Sequence, residues 1–303
     1  MKFTIFQDSR IGKRRNNQDR LAYCYSRESL LMVVADGMGG HLRGELAAQI
    51  DVRTLTEIFE RESAPRLPDP YLFLSWGLGQ AQEEIVAYAK AHNMPDAPRT
   101  TCVACVVQDS IAYWAHVGDS RLYVIRDGRI LACTRDHSRV QMLIDNGRLT
   151  PEEARRHPER NLVYSCLGGS EPPQIDFSRK TTLETGDTIL LCTDGVWGPF
   201  DDATLIGMFD RVSVTQGAPR LLDAAEERAG GSCDNLSLVA LNWEENYGDD
   251  AAFTVETLSM PADSHATLMD GCDSTSARDS ALSEEDIDSA IEEIRGAIKK
   301  YSR

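Results

Sequence analysis

The sequence predicts an α+β chain, rich in β structure, with its helices gathered in blocks instead of alternating with strands. Three observations carry this reading. An apolar run ends in Asp-Gly twice, at 30–35 before Asp36-Gly37 and at 189–193 before Asp194-Gly195. Two amphipathic stripes follow one another at 43–62 and 71–91. Residues 100–134 then break into short β-rich runs separated by turn signals.

Residues 1–8 and 21–25 read as early strands joined by a basic, polar link. The uninterrupted apolar run at 30–35 is the pattern of a buried strand. Over 43–62, Leu46, Ala47, Ile50, Leu55, Ile58 and Phe59 share one helix face, until Pro65, Pro68 and Pro70 interrupt. Over 71–91, Leu74, Leu78, Ala81, Ile85 and Tyr88 step by four, three, four and three, a core-facing stripe. The runs 100–107, 111–117, 121–126 and 129–134 form a meander, with Asp127-Gly128 as one of its turns. Residues 137–175 are polar and helical and sit between β regions, so they read as an inserted flap. Within them Thr150-Pro151-Glu152-Glu153 is a capping box with Pro at the first helical position. Strands return at 181–183 and 188–193, a helix at 218–229 ends at Gly230-Gly231, and a last strand covers 236–243.

This places one domain over 1–244. Residues 245–282, rich in Asp, Ser, Thr and Ala, read as an acidic disordered linker. At 283–303 an amphipathic helix is expected. Ser283 is its N-cap, and Ile287, Ala290, Ile291, Ile294, Ile298 and Tyr301 form its apolar stripe. A partner for that helix is one expectation, docking on its own domain the other.

The chain has 303 residues and a net charge of -16. The stretch 245–303 holds 14 acids against 5 bases, more than half of the excess in about a fifth of the length. Such acidity argues against nucleic acid, whose phosphates need cationic neutralisation. No run approaches the roughly 18–20 apolar residues of a membrane span. The first residues lack the apolar core of a secretory signal, so the cytoplasm is the expected location; a monomer is also expected. Most of the eight cysteines sit in apolar runs, as small hydrophobes do. Cys102 and Cys105 have the spacing of half a zinc site, but no second Cys/His pair accompanies them, and they are read as strand residues.

The chemistry lies in the acids. Asp36, Asp119, Asp194 and Asp234 each stand at the end of a predicted strand, and Asp19 in "NNQDR" is a fifth candidate. Carboxylates without His or Cys partners suit Mg²⁺ or Mn²⁺ better than zinc. Two such ions can activate a water and hold an in-line displacement at phosphorus. Arg14 or Arg15 offers a planar fork for phosphate oxygens. Gly39-Gly40 reads as a tight turn into a helix, since no P-loop Lys-Ser/Thr follows. His116, in an apolar strand, reads as a core histidine.

Seven blocks occur in order: "GKRRNNQDR", "VVADGMGGH", "RTTCVACVV", "HVGDSRLYVIRDG", "TRDHSRVQMLIDNGRLTPEEARRHPERN", "LLCTDGVW" and "CDNLSLVAL". Through them the chain resembles the bacterial metal-dependent protein phosphatases, the type 2C serine/threonine phosphatases. The resemblance implies a four-layer α/β/β/α sandwich of two antiparallel sheets flanked by helices, with 137–175 as a flap beside the site. It implies hydrolysis of phosphoserine and phosphothreonine by water activated at two Mn²⁺ or Mg²⁺ ions. A third, weaker ion site is part of the pattern. The partners it implies are phosphorylated proteins and an opposing bacterial Ser/Thr kinase.

Residue by residue, it implies that Asp36 bridges the two ions and the Gly37 carbonyl binds one. Asp194 and Asp234 then bind the other, and Asp19 supports an ion through water. Arg14 takes the substrate phosphate, and Asp119 joins Asp194 at the third site. The chain departs from the wider pattern at Met38, where eukaryotic relatives carry a histidine, the candidate general acid. His41 is near in sequence, with no assigned part. Gln18 replaces a frequent Glu, and "YSCLGG" at 164–169 lacks the usual flap-end arginine. Two other readings stay in view. One is a phosphoprotein-binding module without turnover, which would have lost a metal ligand. The other is a phosphatase with a nucleophilic Asp, which would need Asp-x-Asp after a strand.

Overall fold

The structure, a computed structural model, describes residues 1–38, 43–245 and 256–259. All of these belong to one unit, Met1–Thr267. The chain opens with β1 (Lys2–Arg10), β2 (Arg20–Tyr25), β3 (Ser29–Ala35) and β4 (Gly37–Met38). Helices α1 (Gly44–Glu62) and α2 (Pro70–Ala91) follow. Next come β5 (Arg99–Thr100), β6 (Cys102–Gln108), β7 (Ile111–Val117), β8 (Arg121–Arg126) and β9 (Arg129–Cys133). The flap carries α3 (Arg139–Asp145) and α4 (Pro151–Arg155). After it come β10 (Asp176–Phe177), β11 (Thr181–Thr182) and β12 (Thr188–Cys192). The remaining elements are α5 (Asp194–Trp197), α6 (Asp202–Gly207), α7 (Val214–Ala229), β13 (Leu236–Glu245) and β14 (Glu256–Ser259).

The strands form two antiparallel sheets. One has the order β1-β13-β12-β8-β9, the other β10-β7-β6-β3-β2-β14, with β11 also on β7. A two-stranded ribbon, β4-β5, stands apart. Strand alternation divides each apolar run between two cores. Leu30, Met32 and Val34 of β3 face the other sheet, against Val124, Ile189, Leu191 and Leu241. Leu31, Val33 and Ala35 face α1 and α2, against Leu55, Phe59, Leu74 and Ile85. Leu190 and Cys192 of β12 pack outward on Leu221, Leu222 and Ala225 of α7. The layers therefore run α/β/β/α, as the resemblance implied. Strands buried on both faces explain why 30–35 and 189–193 carry no polar alternation.

The two expected helices stand at 44–62 and 70–91, and the capping box of Thr150 and Glu153 forms at α4. Several details differ. Helix α7 starts at Val214 instead of 218, capped by Ser213, because Val214, Gly217 and Ala218 are buried; Pro219 sits inside it. The short α5 and α6 were not anticipated, since neither is long enough to show a period. Strand β14 falls within the stretch expected to be a linker without structure. Its backbone pairs Glu256 with Tyr25 and Ser259 with Ala22 along the edge of β2. The rest of that linker and the expected helix 283–303 lie outside the described residues. Cys102 packs on the helix side of its sheet and Cys105 between the sheets, so the pair cannot converge on one ion.

Candidate metal and phosphate site

Sheet register assembles the acids at one end of the sandwich. In β2–β3, Arg20 pairs with Ala35, so Asp19 and Asp36 stand across from one another just past the last pair. In β12–β8, Cys192 pairs with Arg121, and extending that register sets Asp194 opposite Asp119. On the other side of β12, Cys192 pairs with Leu238, which brings the start of β13 and the preceding Asp234 alongside. Gly12 closes this end. Its φ is +60°, and an added Cβ would lie 2.0 Å from the Asp234 carbonyl oxygen, so only glycine fits that approach. Gly37 is equally confined, since a Cβ there would come within 2.4 Å of the Gly44 carbonyl where α1 begins.

A second set of polar groups fixes the acids. Thr193 Oγ1 donates to Asp19 Oδ2 at 3.0 Å and accepts the Ser237 N–H at 3.1 Å. Thr101 Oγ1 accepts the Asp36 N–H at 3.1 Å, while the Thr101 N–H and Thr100 hydroxyl bind the Asp36 carbonyl. Asn235 ties the first loop down, accepting the Gln18 N–H and donating to the carbonyls of Ile11 and Asn16. Arg14, half-exposed at the mouth, donates from Nη2 to Asp234 Oδ2 at 2.5 Å. Behind Asp119, Trp197 Nε1 donates to its carbonyl at 3.0 Å. The Trp197 ring lies 3.5 Å beneath the Arg121 guanidinium, which grips Asp136 with two bonds of 2.8 Å. The sequence shows these helpers only as members of the matched blocks, because their partners are set by register.

The acids are held where charge is costly. Burial, then the charges of Asp19, Asp194, Asp119 and Asp234, push the Asp36 carboxyl well above its ordinary range. Burial likewise raises Asp19 to about 7 and Asp194 to about 6. Asp119 rises well above its usual value through burial and then Asp194. Such a cluster binds protons unless a cation replaces them. With oxygen donors alone, the set fits a hard divalent ion such as Mn²⁺ or Mg²⁺.

Not every candidate joins this site. His116 is a core histidine, as expected, with Nε2 at 2.8 Å from the Arg135 carbonyl. It forms a separate group with His137 and Asp176, whose nitrogen and oxygen atoms lie within 4.8 Å of one another. That group fits a metal poorly. The two imidazoles stack with centroids 4.7 Å apart and planes 25° apart, so no point lies in both ring planes at bonding distance. The Gly118 N–H also donates to His137 Nδ1, which leaves the ring proton on Nε2, toward Asp176. The altered flap end is fastened to α2, where Gln82 accepts the Gly168 N–H at 2.6 Å and donates to the Gly169 carbonyl at 3.1 Å. Gly39, Gly40 and His41 lie outside the described residues.

The family model for protein phosphatase 2C matches residues 6–226. The chain belongs to that family. It is 34% identical over 226 residues to the serine/threonine protein phosphatase PstP of Mycobacterium tuberculosis, covering 75% of this chain. The chain spans only 42% of that relative's length. Protein phosphatase PhpP of Streptococcus pneumoniae is 32% identical over 242 residues, which are 77% of this chain and 95% of PhpP. Among solved structures, the catalytic domain of PstP in complex with two manganese ions superposes with a TM-score of 0.66 at 30% identity. That superposition covers 80% of this chain and 98% of the domain. Among the described residues no helix is long and apolar enough to cross a membrane.

Proposed function

We propose that this chain is a Mn²⁺- or Mg²⁺-dependent protein serine/threonine phosphatase acting on phosphorylated proteins. The observation that carries the reading is the convergence of Asp19, Asp36, Asp119 and Asp194, each with its pKa raised by burial and by a neighbouring acid, beside Asp234 and a half-exposed Arg14. Family membership and the manganese-bound relative support the same chemistry. When bound, the two ions lower the pKa of a water and neutralise charge on the phosphoryl oxygens.

The chain's own groups hold and orient. In this reading Asp36, the Gly37 carbonyl, Asp194 and Asp234 would hold the two ions, with Asp36 shared between them. Asp19 would support an ion through water, and Asp119 would join Asp194 at a third position. Arg14 leaves Asp234 to clamp two phosphate oxygens once a substrate arrives. Met38 donates no proton, so the leaving oxygen draws its proton from solvent or from another group. The enzyme would work as a cytoplasmic monomer, reversing the action of a bacterial Ser/Thr kinase.

Hydrolysis of p-nitrophenyl phosphate with Mn²⁺ tests this. Asp36→Ala and Asp194→Ala should each lose about 100-fold or more in kcat/KM, because the clamp on the displacement is lost. Calorimetry should show weaker Mn²⁺ binding in both variants. A wild-type protein that binds Mn²⁺ yet hydrolyses no phosphomonoester would overturn the reading in favour of a binding module.

A further inference from the structure

Three of the acids, Asp119, Asp194 and Asp234, line a cleft of about 750 Å³ that opens between the flap and the α5–α7 side of the molecule. Five arginines line it, and two are already committed. Arg14 pairs with Asp234, and Arg121 with Asp136. The other three are Arg155 in α4, Arg160 just beyond it, and Arg228 in the last turn of α7. All three are exposed, and among the described residues none has an ion pair within 4.0 Å. In a chain of net charge -16, three unpaired guanidinium groups around one cleft run against the general charge.

They are also placed to act together. The Arg228 guanidinium is steadied 4.5 Å over the Phe200 ring, which lines the same wall. Asp201 is held below its ordinary pKa first by its Thr204 contacts and then by the charges of both Arg155 and Arg228. An arginine of α4 and one of α7 are therefore both within electrostatic range of the same carboxylate, and both line the same cleft. Asp201 does not satisfy them, because its side chain caps α6 by accepting the Thr204 N–H at 2.7 Å. Asp202 is the acid on this wall without an assigned task, one carboxylate against three cations. A phosphomonoester on the acid floor calls on Arg14 and leaves these three free.

We propose that Arg155, Arg160 and Arg228 form a subsite for a second anionic side chain, so that the preferred substrates are phosphopeptides carrying an acidic or phosphorylated residue near the phosphoresidue. This rests on the phosphatase reading of the acid floor. Guanidinium forks bind carboxylate and phosphate oxygens in pairs, and the half-enclosed cleft shields such contacts better than open surface does.

The test is a panel of phosphothreonine peptides, either with no other acid or with one Glu or phosphoserine one to four residues to either side. With Mn²⁺, the wild type should favour at least one such placement about tenfold in kcat/KM, and the preference should shrink at high salt. In the triple variant Arg155→Gln, Arg160→Gln, Arg228→Gln the preference should fall toward one. Better turnover with phosphoserine than with Glu at the favoured position supports a doubly phosphorylated substrate, and equal turnover supports acidic sequence in general. Fluorescence anisotropy with non-hydrolysable phosphonate peptides repeats the comparison without turnover. If no peptide is hydrolysed but the binding preference holds and depends on the arginines, the subsite stands while the phosphatase reading falls. A wild type indifferent to the second anion, or a triple variant that keeps the preference, overturns the subsite.

Discussion

Thr193 shows how much of the site rests on residues that carry no charge. It is wholly buried, and its hydroxyl serves Asp19 and Ser237 at once. Thr193→Val keeps the shape and removes both bonds, leaving a buried N–H without an acceptor and Asp19 short of a donor. Urea unfolding should show a loss of about 1–3 kcal/mol. Mn²⁺ titration should show weaker binding, and Thr193→Ser should recover most of both. Unchanged unfolding and titration would mean the hydroxyl is idle. Asp36 and Asp194 were legible in the sequence because Asp-Gly after an apolar run marks a strand exit, and Asp119 and Asp234 because they stand at the ends of predicted strands. Thr193, Arg121 and Trp197 were not. A threonine before Asp194 acquires its role only when β12–β13 register and a loop 174 residues away bring Ser237 and Asp19 to it.

At the scale of elements, α1 carries a similar hidden feature. Its apolar stripe was readable, and Asp51, four residues from both Ala47 and Leu55, falls on that same face and is 0% exposed. The Cys102 thiol of β6 lies beside it, and no ordinary hydrogen bond reaches either carboxyl oxygen. Burial raises its pKa from 3.8 to about 7. The sign follows directly. In the folded protein the proton is retained to higher pH than in the unfolded chain. The stabilisation is therefore full below about pH 4 and is lost as pH rises through about 7, up to a few kcal/mol. Asp51→Asn removes that dependence. Its stability relative to wild type, from denaturant melts at saturating Mn²⁺, should improve from pH 5 to about pH 7 and level off toward pH 8. A constant difference across that range would refute an acid held neutral in the core. Other elements were less legible for plainer reasons. The ribbon β4-β5 and the strands β10 and β11 are two residues each, too short for any periodicity to register.

At the scale of the molecule, periodicity reveals which strands are buried but not which sheet each joins. Strand β1 pairs with β13, setting Phe3 against Trp243, and β12 lies between β13 and β8. No local signal encodes those partnerships, so the layer order came from the resemblance and not from the residues alone. The same limit hid β14. Its four residues gain a partner only because β2 would otherwise end the sheet with an open row of N–H and C=O groups. This gives β14 a protective role that can be separated from catalysis. Its register runs along Ala22 to Tyr25, away from the end of β2 that adjoins Asp19. A chain cut after Glu245 should keep turnover of p-nitrophenyl phosphate within about twofold, since no site acid loses a neighbour. It should melt several degrees lower, as loss of about 1 kcal/mol does in a domain of this size. Light scattering at 37 °C should rise with time as bare β2 edges pair between molecules. A chain cut after Thr267, which keeps β14, should match the full-length protein in both measurements. Equal melting and scattering for the two cuts would show that the β2 edge is protected by something other than this strand.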